Sequence, residues 1–222
     1  MTPPDQSPTS IDAGALRAAV AGKRILVGVT GGIAAYKTAT VVSRLAQAGA
    51  EVTVAMTPAA THFVTPLTFQ ALSGRPVYTS AWEHIESSDP QHISLATGLA
   101  AALVAPCTMD CLAKLATGRT DDVVTLILSA VDREVTPVLL APSMNKVMWS
   151  QKSTQRNVAQ VVEDGFELVG PDDGWQACRQ VGTGRMSEPE ALIAAVARAV
   201  LLRATGAASA QGSPPVSPAR TS

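Results

Sequence analysis

Five short apolar runs, RILVGVT (24–30), EVTVAM (51–56), AALVAP (101–106), TPVLLA (136–141) and FELVG (166–170), recur along the chain with little apolar–polar alternation. A strand that alternates keeps one face in water. One that does not is covered on both faces, as in a parallel sheet flanked by helices. The stretches between the runs supply those helices: AAYKTATVVSRLAQAG, PLTFQALSG, DDVVTLILSAV and STQRNVAQVVEDG are amphipathic or Ala-rich, and Gly49 and Gly165 stand where two of them stop. Alternating β and α predicts an α/β fold, a doubly wound, Rossmann-like open parallel sheet with helices on both faces.

With 222 residues, 46% of them hydrophobic, the chain can bury one sizeable core. A single domain is expected over 21–204, after a disordered or helical extension (1–20) and before a disordered tail (205–222) whose GAASAQGSPPVSPARTS has no apolar periodicity. The net charge of −1 and the lack of any Lys/Arg cluster argue against a nucleic-acid partner. The opening MTPPDQSPTS has no basic segment followed by an apolar one, and no apolar run reaches the roughly 18 residues of a membrane span, so a cytoplasmic protein without membrane contact is expected. Cys107, Cys111 and Cys178 are too few and too unevenly placed for a disulfide framework and are read as thiols. Cys107 and Cys111 lack a second Cys/His pair at zinc spacing, and no metal is expected.

In open α/β sheets ligands bind beyond the carboxyl ends of the strands, so the residues after each apolar run carry the functional information. After the first comes TGGIAAYK (Thr30–Lys37), where Gly31 and Gly32 let the backbone approach an anion and the N–H groups at Ile33 and Ala34 are donors for a phosphate. It is neither G-x-G-x-x-G nor a P-loop, and a plain tight turn explains the glycines equally well. Thr57, in MTPAATHF, is a ligand donor or a helix cap. In APCTMDCLAK, Pro106 is expected to end the strand and Thr108 and Asp110 to cap a helix or hold a ligand. In APSMNKVMW, Pro142 ends a strand and Asn145 follows inside a Met- and Trp-rich wall, able to fix a carboxylate or amide or simply to cap a short helix. His92, in QHISLA, opens the helix before the AALVAP strand, near the ligand edge. DDGWQACRQVGTGRMSEP (172–189) is longer than an ordinary connection and reads as a defined flap.

Taken together, GVTGGIAAYK, HISL, APCTMDCLAK, APSMNKVMW and QACRQVGTGRMSEP resemble the homo-oligomeric flavin-containing cysteine decarboxylases over about residues 22–200. The resemblance implies FMN at the strand ends, with Gly31, Gly32, Ile33, Thr57, Thr108, Met109, Asp110, Cys111 and Ala141 around its phosphate and ring. It implies His92 as the active-site histidine, Asn145 as the holder of the substrate carboxylate, and Cys178 as the proton donor of the closing reduction. Met148, Ala177, Arg185 and Met186 match the substrate-contacting wall and flap. The expected substrate is 4′-phosphopantothenoylcysteine of coenzyme A biosynthesis, converted to 4′-phosphopantetheine. Oxidation on the thiol side gives the electrons left by CO₂ somewhere to go, so the cofactor carries the hard step. A homotrimer or a dodecamer of trimers, with active sites between subunits and a separate phosphopantothenate–cysteine ligase upstream, is implied as well.

The chain departs from the family pattern at Arg179, where Gly usually follows the clamp cysteine, and at Ser94 and Ala100, where acidic residues are usual. A guanidinium beside Cys178 favours the thiolate and weakens a thiol acid, unless it faces the substrate phosphate. Three alternatives stand beside the main reading: a peptidyl-cysteine decarboxylase, which the Cys178 clamp disfavours, a flavin prenyltransferase, which the set His92, Asn145 and Cys178 disfavours, and a non-catalytic FMN-binding regulatory protein.

Overall fold

The computed structural model describes residues 11–83, 90–177 and 179–210. In chain order the elements are α1 (Ala13–Val20), β1 (Arg24–Val29), α2 (Ala35–Gln47), β2 (Glu51–Met56), a single 3₁₀ turn (Ala60–His62), α3 (Pro66–Ser73), β3 (Val77–Tyr78), α4 (Gln91–Ala96), β4 (Ala101–Cys107), α5 (Met109–Ala116), α6 (Val123–Ser129), β5 (Val138–Pro142), α7 (Lys146–Ser150), α8 (Lys152–Glu163), β6 (Glu167–Leu168), β7 (Asp172–Trp175), β8 (Val181–Arg185) and α9 (Pro189–Ala210). The first six strands form one parallel sheet in the order β3-β2-β1-β4-β5-β6, and β7 and β8 form a separate antiparallel hairpin. Strand order reverses direction between β1 and β4, which is where a doubly wound sheet opens its ligand crevice.

The missing alternation in the strands is accounted for by a core on each face. Successive side chains of a strand point to opposite sides. Ile25, Val27 and Val29 of β1 therefore enter one cluster with Leu16, Val41, Leu45, Leu192 and Val196, while Leu26 enters the other with Leu112, Val124, Ile127 and Leu140. Every residue of β4 is buried, and emptying one such position, as in Leu103→Ala, would cost about 2–5 kcal/mol. α2 stops at Gln47 because Gly49 takes a φ of 89°, which other residues rarely adopt.

Two expectations are corrected. Pro106 does not end its strand, for β4 continues to Cys107, which pairs with Pro142. Proline lacks one ladder donor, and a register shift between Val104 and Cys107 accommodates the loss. At the carboxyl end, α9 runs to Ala210, into the stretch expected as a disordered tail. At the other end, α1 lies within the expected extension and packs Leu16, Ala19 and Val20 into the core. Residues 1–10 and 211–222 lie outside the described residues. No helix among the described residues is long and apolar enough to cross a membrane.

Candidate active site

The carboxyl ends of β1, β2, β4 and β5 and the β7–β8 hairpin enclose a cavity of about 1150 Å³. Gly31, Gly32 and Ile33 line it, with Thr57, Thr108, Met109 and Asp110. The turn after β1 has close backbone approach as its cause: a Cβ on Gly31 would lie 2.4 Å from Ala59 Cβ, so only glycine lets this turn sit against the loop after β2. Thr30 then ties the first strand to the fourth, its Oγ1 donating to the Pro106 carbonyl at 2.6 Å and accepting from Thr108 N–H at 3.2 Å. The Ile33 and Ala34 N–H groups, just before α2, make no hydrogen bond to the described residues. Open donors ahead of a 13-residue helix, beside a glycine cradle, are a receptor for an anion. Thr57 does double duty: its Oγ1 accepts from Ala60 N–H at 3.3 Å while the residue lines the cavity.

Asn145 resolves in the same way. It caps α7, with Oδ1 accepting from Met148 N–H at 2.8 Å. That bond fixes which end of the carboxamide is oxygen, because only the oxygen accepts. Both Nδ2 hydrogens are then without a partner among the described residues, in a side chain that lines the cavity next to Met144 and Met148. Capping therefore consumes the acceptor and leaves the donors open to the cavity.

The hairpin closes the cavity through Trp175, Gln176, Ala177, Gly184, Arg185 and Met186. Its seat on the turn before α7 is very close. Met144 N–H donates to Gly184 carbonyl at 2.9 Å, and a Cβ on Gly184 would fall 2.4 Å from the Met144 carbonyl oxygen. Gln176, buried, accepts from Lys146 N–H at 3.1 Å through Oε1 and donates through Nε2 to the Gly182 and Thr183 carbonyls, both at 3.1 Å.

At the α5–α6 end the cavity is acidic. Lys114 pairs with Asp110 at 3.2 Å and with Asp121 and Asp122 at 3.0 Å each. Burial alone would push the Lys114 ammonium down, but the hydrogen bonds to Asp122, Asp121 and Asp110 outweigh it and hold it well above the usual lysine range. The same contact with Lys114 holds Asp121 below the usual carboxylate range. Asp122 also caps α6 by accepting from Thr125 N–H at 3.0 Å, so this cluster fixes the position of two helices.

Not every candidate reaches the cavity. Ala141 is fully buried in the core beneath it. Cys111 faces the opposite core cluster, and the hydrogen bond its protonated thiol makes to Cys107, together with burial, pushes that thiol up, away from a reactive thiolate. His92 sits on α4, half-buried in a separate hollow of about 20 Å³ with Ala81, Leu95, Val123, Leu126 and Ile127. Cys178 lies outside the described residues.

A phosphate-type cradle at the β1–α2 turn, a carboxamide on the β5–α7 turn and a hairpin over both form one arrangement, and the Flavoprotein family model matches residues 15–201. The chain belongs to the flavoprotein family. This flavoprotein is 46% identical over 175 residues to the coenzyme A biosynthesis bifunctional protein CoaBC of Vibrio vulnificus, an alignment covering 79% of this chain and 43% of that protein. The chain thus spans less than half the length of the curated relatives it matches. Among solved structures it resembles the FMN-dependent cysteine decarboxylase SpaF (TM-score 0.71, 29% identity, covering 83% of this chain and 98% of that one). It also resembles a PPC decarboxylase mutant complexed with pantothenoylaminoethenethiol (TM-score 0.68, 28% identity, covering 86% of this chain and 100% of that one).

Sequence reasoning on the flavoprotein missed Gln176, Lys37 and the Lys114 cluster. Gln176 stands inside the quoted QACRQVGTGRM, yet nothing in a single sequence distinguishes a buried glutamine from an exposed one. The Lys114 cluster did carry a signal, since Lys114 follows Asp110 by one helical turn and DD follows shortly after. Arg179 is the one described non-glycine residue with positive φ, at 62°. That value is the physical reason glycine suits this place.

Proposed function

We propose that the chain is an FMN-dependent decarboxylase acting on 4′-phosphopantothenoylcysteine to give 4′-phosphopantetheine in coenzyme A biosynthesis. The observation that carries the reading is Asn145, whose carboxamide offers two unclaimed N–H donors to a carboxylate from the cavity wall. The residues present fit the cofactor: the Gly31 cradle admits no side chain, and the open N–H groups of Ile33 and Ala34 suit its phosphate. FMN, when bound, supplies the two-electron chemistry that lets a cysteinyl carboxylate depart as CO₂.

The protein's own part is binding and proton handling. Asn145 orients the carboxylate, while Met144, Met148 and Met186 exclude water and so weaken the carboxylate's hydration. Cys178 is assigned as the proton donor to the carbon that has lost CO₂, and His92 as the residue assisting at the cysteinyl side chain. His92 lies outside the cavity of its own chain, which supports active sites between subunits, in a homotrimer or a dodecamer of trimers. Trp82, 90% exposed, and Ile93, 48% exposed, offer apolar surface near that histidine for such a contact. In this reading the enzyme is cytoplasmic, and its substrate comes from a phosphopantothenate–cysteine ligase activity.

The test is an anaerobic incubation of the purified yellow protein with 4′-phosphopantothenoylcysteine, following the flavin spectrum and the product mass. Loss of CO₂ with a flavin that ends oxidised is the expected result. A flavin that never bleaches, with no product, overturns the decarboxylase reading.

A further inference from the structure

We infer that Lys37 and Arg185, tethered by the single carboxylate of Glu188, form a phosphomonoester-binding subsite on the hairpin side of the cavity; the identity of the ligands rests on the decarboxylase reading. Both cations line the cavity. Lys37 Nζ donates to Glu188 Oε1 at 3.0 Å and Oε2 at 2.9 Å, and Arg185 Nη2 donates to Glu188 Oε1. A lysine has three N–H donors and an arginine five. Lys37 therefore keeps one donor and Arg185 four with no side-chain or backbone partner among the described residues. One carboxylate against two cations leaves one positive charge in excess.

The opposite end has the reverse balance. There Lys114 and Arg119 face the three carboxylates of Asp110, Asp121 and Asp122, which leaves one negative charge in excess. An entering dianion is drawn to the Lys37 and Arg185 end and repelled from the other. Arg185 is also held ready. Its side chain lies over Gly174, where a Cβ would come within 2.8 Å of Nη1 and 3.0 Å of Cδ, so its planar fork is fixed before any ligand arrives. A fork with free N–H groups suits the oxygens of a phosphomonoester, whose charge near neutral pH is about −1.5 to −2. Two such groups are in prospect, the phosphate of FMN and the terminal phosphate of the pantetheine moiety.

The experiment takes the FMN-loaded protein and its Arg185→Ala variant. Each is titrated calorimetrically with 4′-phosphopantetheine and with pantetheine at pH 5.5 and 7.5, and FMN release is followed by fluorescence. If the subsite reads the substrate phosphate, the affinity ratio of phosphorylated to unphosphorylated ligand falls about tenfold or more in the variant. If it reads the cofactor, the ratio holds and FMN leaves about tenfold or more faster. If neither change occurs, the subsite is overturned. Should Arg185→Ala fail to fold, the native protein decides by itself. Its phosphate preference, or its FMN retention, must strengthen from pH 5.5 to 7.5 as the phosphate loses its second proton near pH 6, and a flat profile in both overturns the inference. Turnover is not scored, so a protein that releases no CO₂ defeats the decarboxylase reading without deciding this one.

Discussion

The two walls of the cavity are built on different physical footings. The strand-end wall hangs from the central sheet: Thr30, Thr57 and Thr108 follow β1, β2 and β4 directly, and Thr30 ties β1 to β4 through a buried hydroxyl. The hairpin wall has no such support. β7 and β8 pair only with each other, and Trp175 and Val181 expose 63% and 64% of their surface. What seats the paired strands is polar, namely Gln176 against Lys146 and Gly184 against Met144, and among the described residues only Met186 at their end reaches the core. A wall rooted in core strands inherits the stability of the whole molecule, whereas a docked hairpin can open at a free-energy cost well below global unfolding.

The sharpest test concerns Asn145, the proposed holder of the carboxylate, which stands between Met144 and Lys146 where the hairpin is seated. Asn145→Asp keeps an oxygen to cap α7 but replaces the two donors with a negative charge facing a carboxylate. Decarboxylation should drop about 100-fold or more in kcat/KM with an unchanged melting temperature, and retained activity would remove Asn145 from carboxylate binding.

Paired glycine variants break the comparison next. Gly31→Ala forces a Cβ into Ala59 and should cost about 1–3 kcal/mol of global stability, with flavin lost on dialysis. Gly184→Ala forces a Cβ against the Met144 carbonyl at a φ of 128°, yet should leave the global unfolding midpoint nearly unchanged while proteases begin to cut the hairpin. Equal global losses in the two variants would erase the distinction between the walls.

Gln176→Leu sharpens it. Three hydrogen bonds disappear and Lys146 N–H loses its partner, for a local cost of about 1–3 kcal/mol. Hydrogen exchange at the Lys146 amide should accelerate while amides of β4 keep their protection. Faster exchange in both places would show that the hairpin is not a separate unit.

The smallest expected effect is electrostatic. Lys114 lowers the folded pKa of Asp121, so the Asp121 contribution is complete above the ordinary aspartate range near pH 4 and is lost as pH falls through the lower folded value. Asp121→Asn should therefore melt with a shallower dependence on pH between 5 and 3 than the unaltered protein. Parallel profiles would show that the contact contributes nothing to stability.

By itself the sequence determined the centre of the sheet, because strands covered on both faces must be apolar without alternation, and β1, β2, β4 and β5 coincide with such runs, while the edge strand β6 lies within FELVG but leaves Glu167 exposed. It also pointed to the strand ends, since Gly31 and Thr57 follow those runs directly and Thr108 and Asn145 come within a few residues of them. β3, two residues long, has no periodicity to read, and the hairpin has an exposed and irregular pattern that gives no apolar signal. Only the tertiary structure decided that Gln176 is buried, that Glu188 serves both Lys37 and Arg185, that Cys111 and Ala141 turn into the cores, and that His92 stands apart from its own chain's cavity. These are contacts between residues far apart in sequence. Periodicity records which face of an element is buried, but not what the opposing element places against it.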